Sequence, residues 1–482
     1  MTPTPEEQSP TRPIVGVLAF AGIVVALMQT LVVPLIPELP ALLHTTASNS
    51  SWAITATLLA GAVATPVLGR LGDMYGKRRV LLASIGLLVI GSVVCALSDS
   101  LGPMVVGRAL QGCAVGVIPL GISIMRDELP AERLGSAMAL MSSSLGVGGA
   151  LGLPTAAALA EHSNWHVLFW MSAVLGVVVA ALVLLVVAES PLRGGGRFDL
   201  LGAAGLSAGL ICLLLGISKG ADWGWGSGTT LGCFAVAVLV LLAWGWWELR
   251  VSGPLVDLRT AARRQVLVTN LASIVVGFSF YAMSLVLPQL LQLPGSTGYG
   301  LGQSMLVAGL CLGPSGLTMM AVSPLSARLT AARGPKVSLM VGSLIIAGGY
   351  GLAVVFMTAV WELAIVACVI GVGIGLGYAA MPALIMSAVP VAETASANGV
   401  NTLMRSIGTS TSSAVVGVVL AHLTTRFGAV DLPSQSGFRV ALAIGGVAAL
   451  AGVLVAWFIP ARRVPANGRV ALVSPALLPS ET

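Results

Sequence analysis

Apolar runs of roughly 20 residues recur along almost the whole 482-residue chain, separated by short polar breaks. At 1.5 Å per residue, one such run in helical form crosses a hydrocarbon core about 30 Å thick. A bilayer offers no water to the backbone, so each run has to satisfy its own peptide groups as a helix. Hydrophobic residues make up 56% of the chain and charged residues 9%, which excludes an ordinary soluble domain. The pattern predicts fourteen helices, near residues 13–36, 50–71, 79–98, 102–125, 136–160, 165–188, 199–218, 228–248, 265–291, 301–325, 336–357, 362–387, 394–421 and 438–459. The first is too long, and followed by too many others, to read as a cleaved signal sequence.

An even number of spans puts both termini on one side, and the charges select the side. With the N-terminus inside, the external segments hold only Lys219, Arg426 and Arg439 among the 24 lysines and arginines. That asymmetry predicts cytoplasmic termini. It also explains the net charge of +6 as membrane topology, so no nucleic-acid partner is expected. Cys95, Cys113, Cys212, Cys233, Cys311 and Cys368 are scattered through apolar runs, as small packing residues are. No phosphate-binding P-loop and no paired-histidine motif occurs, so neither ATP nor a metal is expected, and no enzyme chemistry is indicated. His44, His162, His166 and His422 fall at outer helix ends.

Between the second and third runs lies Gly69-Arg-Leu-Gly-Asp-Met-Tyr-Gly-Lys-Arg-Arg79. Gly69, Gly72 and Gly76 permit close helix approach and a tight turn, and Asp73 suits a helix N-terminus. Arg70, Lys77, Arg78 and Arg79 belong on the positive side. A weaker copy, Arg328-Leu-Thr-Ala-Ala-Arg-Gly334, follows the corresponding helix of the second half, with Ala331 opposite Asp73. Parallel six-helix repeats are a transporter architecture. The surplus length then corresponds to one inserted helix pair spanning 199–248, and the organisation expected is 1–12 cytoplasmic, 13–190 a six-helix bundle, 191–253 the insert with its loops, 254–460 a second bundle and 461–482 a disordered tail.

Further signals lie within the spans. Arg108 stands inside an apolar run as Arg108-Ala-Leu-Gln111-Gly112; it faces the bundle interior or snorkels outward. Gly146-Val-Gly148-Gly149-Ala-Leu-Gly152-Leu-Pro154 allows tight packing and a bend at Pro154, as plain helix packing also would. Arg405, about 18 Å along its helix from Glu393, lies near mid-membrane, in a cavity or an ion pair. Gln29, Trp52, Gln111, Asn270, Tyr281, Gln289, Tyr378 and Asn401 are polar or aromatic residues that either line a midplane cavity or bond between helices.

Taken with the order of these motifs, residues 12–460 resemble the major facilitator superfamily, specifically the 14-helix drug:proton antiporters. Phe198-Asp-Leu-Leu-Gly202, Pro254-Leu-Val-Asp-Leu258 and Asn401-Thr-Leu-Met-Arg-Ser-Ile-Gly408 resemble further segments of that subgroup. The resemblance implies an all-α membrane fold of two six-helix bundles plus two inserted central helices. It implies that Gly69–Arg79 latches the halves, that Arg108 takes part in proton transfer or substrate polarisation, and that Gly148, Gly149, Gly152 and Pro154 form a helix 5 hinge. An amphipathic small molecule would be exported from the cell by a monomer in the plasma membrane, without a cofactor, in exchange for protons.

Two departures stand out. Gly152-Leu153-Pro154 replaces an adjacent Gly-Pro, and Met28 and Val33 stand where the first-helix motif usually has an aspartate and an asparagine. With no acid clearly at mid-membrane, Glu38 and Glu161 are the proton candidates, working with Arg108, unless both are simply solvated. The missing aspartate favours a same-fold facilitator or symporter taking up a metabolite; the helix 5 motif and the inserted pair favour export. A non-transporting membrane scaffold or receptor is the other rival, and the complete loop argues against it. Arg108 and Arg405, the basic side chains deep in the spans, favour neutral or anionic substrates over organic cations.

Overall fold

Residues 11–32, 35, 38–162, 164–189, 197–427 and 430–460 are described by a computed structural model of the chain. The short N-terminus, residues 33, 34, 36 and 37, the side chain of Glu161 and the tail after 460 lie outside the described residues.

Fourteen helices among the described residues are long and apolar enough to cross a membrane: α1 Pro13–Thr30, α2 Trp52–Tyr75, α3 Lys77–Ala96, α4 Leu101–Glu128, α5 Glu132–Leu159, α6 His166–Val186, α7 Leu200–Trp223, α8 Gly228–Glu248, α9 Arg264–Gln292, α10 Met305–Arg333, α11 Pro335–Val355, α12 Val360–Met386, α13 Val391–His422 and α14 Gln435–Trp457. A two-stranded hairpin, Thr424–Phe427 with Val430–Pro433, links the last two. The end of the bundle carrying Gly76 is called the basic end below.

Helix α1 stops at Thr30, short of the expected residue 36. The sequence places Pro34 and Pro37 just beyond, and proline cannot donate to a continuing helix. The expected loop between α2 and α3 contracts to one residue. Helix α2 runs to Tyr75 and α3 starts at Lys77, with Gly76 at φ +112° between them. Only glycine adopts that conformation cheaply, so Asp73 belongs to a buried helix end and not to a loop. In the second half Gly334, at φ +85°, makes the same turn between α10 and α11. Two spans are interrupted: a 3₁₀ turn, Cys113–Gly116, divides α4, and α10 breaks at Val322.

The packing repeats with an offset of eight helices. Helix α1 packs on α5 as α9 does on α13; α3 packs on α6 as α11 does on α14; α2 packs on α4 as α10 does on α12. The close contacts repeat as well. A Cβ on Gly91 of α3 would sit 2.5 Å from the Gly107 carbonyl oxygen of α4, and one on Gly342 of α11 would sit 2.6 Å from that of Gly373 of α12. A Cβ on Gly148 would meet the Ile23 oxygen at 2.4 Å, and one on Gly408 the Ile274 oxygen at 2.0 Å. Without a hydrophobic drive between helices in lipid, such small-residue contacts carry the association.

The halves meet along α2 with α13 and α5 with α10. Helix α7 packs against both α2 and α13, burying Leu206, Leu210 and Leu214 with Ala62, Val400 and Leu403. Helix α8 packs on α7 and is largely exposed along its length.

Candidate functional site

At the basic end, the chain brings both halves together through charge. The Asp73 carboxylate, 1% exposed, accepts hydrogen bonds from the backbone N–H groups of Ser396 (2.8 Å) and Ala395 (3.3 Å) in the first turn of α13. Those are unpaired donors at the positive end of a helix dipole, so a carboxylate is well matched there. Gly69, one turn earlier, makes room: a Cβ would lie 2.6 Å from the Ala395 oxygen. The approach is reciprocal, because a Cβ on Gly399 would lie 2.9 Å from the Thr65 oxygen.

Arg126 of α4 braces the same end. Its guanidinium donates to the carbonyls of Met386 (2.9 Å), Val389 (3.2 Å) and Pro390 (3.5 Å) and to the Thr394 hydroxyl. One arginine thus holds the end of α12 and the start of α13. Beside it, Lys77 and Asp127 form a buried pair at 2.7 Å, with side chains 1% and 2% exposed. Arg78 donates to the Leu184 carbonyl near the end of α6, and its backbone N–H to Glu189. Arg79 pairs more openly with Glu189 at 3.6 Å. In the second copy Lys336 repeats the role of Arg78, donating to Trp457 and Ile459 at the end of α14. Ala331 has no carboxylate, so the Asp73 contact has no twin.

The two deep arginines occupy different halves. Arg108 is 2% exposed and faces the bundle, so it does not snorkel. It donates from Nε to the Ala53 carbonyl (3.1 Å) and from Nη1 to Gln111 (2.8 Å) and to the Met28 carbonyl (3.4 Å). Gln111 in turn donates to Ser92 at 2.8 Å. Where an α1 aspartate was expected, a backbone oxygen meets the guanidinium. Gly112 admits α2, its Cβ position lying 2.4 Å from the Thr57 oxygen. Arg405 is 7% exposed; it donates to Thr402 (3.0 Å) and its guanidinium lies 4.8 Å from the Tyr378 ring centre, which packs edge-on to Phe280. One turn away Asn401 donates to Asn270 (2.9 Å) and Ser273 (2.7 Å). Neither arginine has a carboxylate within ion-pair distance among the described residues.

The other expected site residues are dispersed. Trp52 lies at the far end of α2, with the Lys219 ammonium of α7 5.2 Å from its ring centre. Gln29 and Tyr281 are half-buried, while Gln289 and Glu38 are exposed. The helix 5 glycines point elsewhere than a hinge alone would need: Gly148 and Gly152 press on α1, with a Cβ on Gly152 only 1.8 Å from the Thr30 hydroxyl, and Pro154 packs on Gly309 of α10. Gly149 is nearly free of neighbours. Sequence reasoning did not single out Arg126 as a brace, nor Asp127 or Glu248. An Arg-Asp pair closing an apolar run was the available sign for the first two.

The Major Facilitator Superfamily model matches residues 18–413. The chain belongs to the major facilitator superfamily. Members of this superfamily are membrane transporters, and the two-bundle arrangement with an inserted pair is the fold the resemblance implied. The chain is similar to the tetracenomycin C resistance and export protein of Streptomyces glaucescens, 28% identical over 93% of this chain and 84% of that one. It is also similar to multidrug resistance protein 3 of Bacillus subtilis, 23% identical over 78% of this chain and 73% of its relative. Among solved structures, the human organic anion transporter MFSD10 superposes with a TM-score of 0.66 at 16% identity, covering 93% of this chain and all of that one; it shares the fold.

Proposed function

We propose that this superfamily transporter exports an amphipathic small molecule across the plasma membrane, in exchange for protons, by alternating access between its halves. The observation that carries the reading is the pairing of Asp73 with the N-terminus of α13, reinforced by Arg126. It joins the two halves through bonds that a rocking motion can break and remake. On the charge asymmetry, the basic end faces the cytoplasm and both termini lie there, so the conformation described is closed to the cytoplasm.

The substrate reading follows from Arg108 and Arg405. Buried cations without carboxylate partners favour a neutral or anionic ligand over a cationic one. Arg405, Tyr378, Asn270 and Asn401 supply a cation, an aromatic face and amides in one neighbourhood. Export is supported by the named export and resistance roles of the similar Streptomyces and Bacillus proteins. Same-fold uptake is the second reading, favoured by Met28, whose carbonyl serves Arg108 where an acid would have served proton coupling.

The test is a growth assay of expressing against non-expressing cells with tetracenomycin C and a panel of amphipathic acids and cationic dyes, repeated after the proton gradient is collapsed. Export predicts tolerance of at least one neutral or acidic compound that vanishes on collapse. Sensitisation in place of tolerance supports uptake.

A further inference from the structure

Glu248 is the last residue of α8, on the inserted pair, and only 3% exposed. Both carboxyl oxygens are buried without a hydrogen-bond partner. Two other carboxylates are buried as deeply among the described residues: Asp73 receives two backbone N–H groups, and Asp127 receives Lys77. Glu248 stands apart from both. Its neighbour Asp199 caps α7 and has its hydrogen bonds made, accepting from the Gly202 N–H (2.8 Å) and from the Trp247 indole (3.1 and 3.3 Å). The two carboxyl groups close on the same point of α7: a Cβ on Gly202 would lie 2.3 Å from Asp199 Oδ2 and 2.7 Å from Glu248 Oε1.

The groups facing Glu248 are Asp199, the Trp244 indole and the backbone N–H groups of Leu255 and Val256; these three donors point toward the carboxyl but stay outside full hydrogen-bond distance and angle, and the Trp244 N–H is itself unpaired. The nearby cations are engaged elsewhere. Arg250 stacks 3.7 Å over the Trp246 ring, and Arg259 donates to the Leu249 carbonyl. An ionised carboxylate buried beside another, with its donors out of hydrogen-bond geometry and no cation within ion-pair distance among the described residues, is costlier than the neutral acid.

We propose that Glu248, beside Asp199, is a proton-binding site of the inserted helix pair, and that its proton strengthens the latch at the basic end. The connection runs through residues 254–257. Leu255 and Val256 are buried with Ala62 of α2, Leu206 of α7 and Val400 of α13. The Leu255 carbonyl accepts from the Ser396 hydroxyl at 3.3 Å, and the Ser396 N–H is the one that Asp73 accepts. Separation of α2 from α13 uncovers this segment and admits water to Glu248, which then ionises. Binding the proton to the closed form alone stabilises it by linkage, so acid on the basic side holds that end shut and alkali loosens it. The site reads the pH of one compartment, whichever ion drives transport.

The full chain in lipid nanodiscs provides the test. In a cysteine-free background, spin labels at Tyr75→Cys and Val391→Cys, both exposed, report the distance across the latch. The wild type is expected to pass from a short to a longer separation as pH rises from about 5 to about 9. Glu248→Gln is expected to keep the short separation throughout, and its infrared spectrum to lack one protonated-carboxyl C=O band present in the wild type. Asp199→Asn, which can still cap α7, is expected to move the titration of that band to lower pH. A wild-type pH response in Glu248→Gln, or a carboxyl band unchanged by both substitutions, overturns the proposal. None of these readouts needs transport, so failure of the exchange reading leaves them intact.

Discussion

At the residue scale, the proposed latch rests on a few groups whose removal has different consequences. Asp73→Asn keeps one acceptor oxygen but loses the charge that complements the α13 dipole, an interaction worth about 0.3–2 kcal/mol. We expect a several-fold shift of the conformational equilibrium toward separation at the basic end, read as a longer label distance between α2 and α13. Arg126→Ala removes four donor contacts and should shift it further. Asp127→Asn acts otherwise, because it leaves Lys77 buried without its partner. Breaking a buried pair from one side costs about 3–5 kcal/mol. Thermal unfolding in nanodiscs should show a clear loss of stability for Asp127→Asn, whereas Asp73→Asn leaves the midpoint nearly unchanged; equal midpoints for both variants would contradict the assignment.

At the element scale, glycines set which helices touch. A Cβ on Gly316 of α10 would lie 2.3 Å from the Gly146 carbonyl of α5, and that contact joins the halves. Gly316→Leu should therefore push α5 from α10 and abolish the proposed export at normal expression, while Gly348→Leu, with no neighbour within 4 Å, should retain it. Asp257 offers a pH-dependent counterpart outside the spans. Burial pushes its carboxyl upward, but the Thr260 hydroxyl and the Thr260 and Arg259 N–H groups outweigh that and leave it below its ordinary value. Its capping of Leu258–Ala261 is present above the ordinary carboxylate range and is lost as pH falls through the lowered value. Lower amide protection in this helix, taken relative to the intrinsic exchange rate at each pH, is expected in acid, and Asp257→Ala should show it already at neutral pH.

Much of this element-level structure could be read from the chain. Apolar runs gave the fourteen helices, and the glycine spacing with Asp73 pointed to a helix N-terminus, though not to which one. The partner, Ser396, lies on the other half, and sequence displays only one side of such a contact. The same limit hid Arg126, whose acceptors are mostly backbone carbonyls carrying no side-chain signature, and Glu248, which ends an apolar run as a solvated residue would. The extent of α2 was misjudged for a different reason: Gly69 and Gly72 resemble breakers, yet here they clear space for α13 and Leu120 inside a continuous helix.

At the scale of the whole molecule, the eight-helix offset in packing leaves the Asp73 latch without a twin, since Ala331 occupies the second position. Closure at the basic end is therefore built chiefly by the first half gripping the start of α13. The two buried arginines lie one in each half. The proposed exchange of an amphipathic compound for protons is tested most directly in proteoliposomes holding the purified chain, with an imposed pH gradient and tetracenomycin C as the first probe. We expect the probe to move against the proton flow, the gradient to dissipate faster when the probe is present, and Arg108→Ala to abolish both. Probe movement indifferent to the gradient, with no accompanying proton flux, would contradict it.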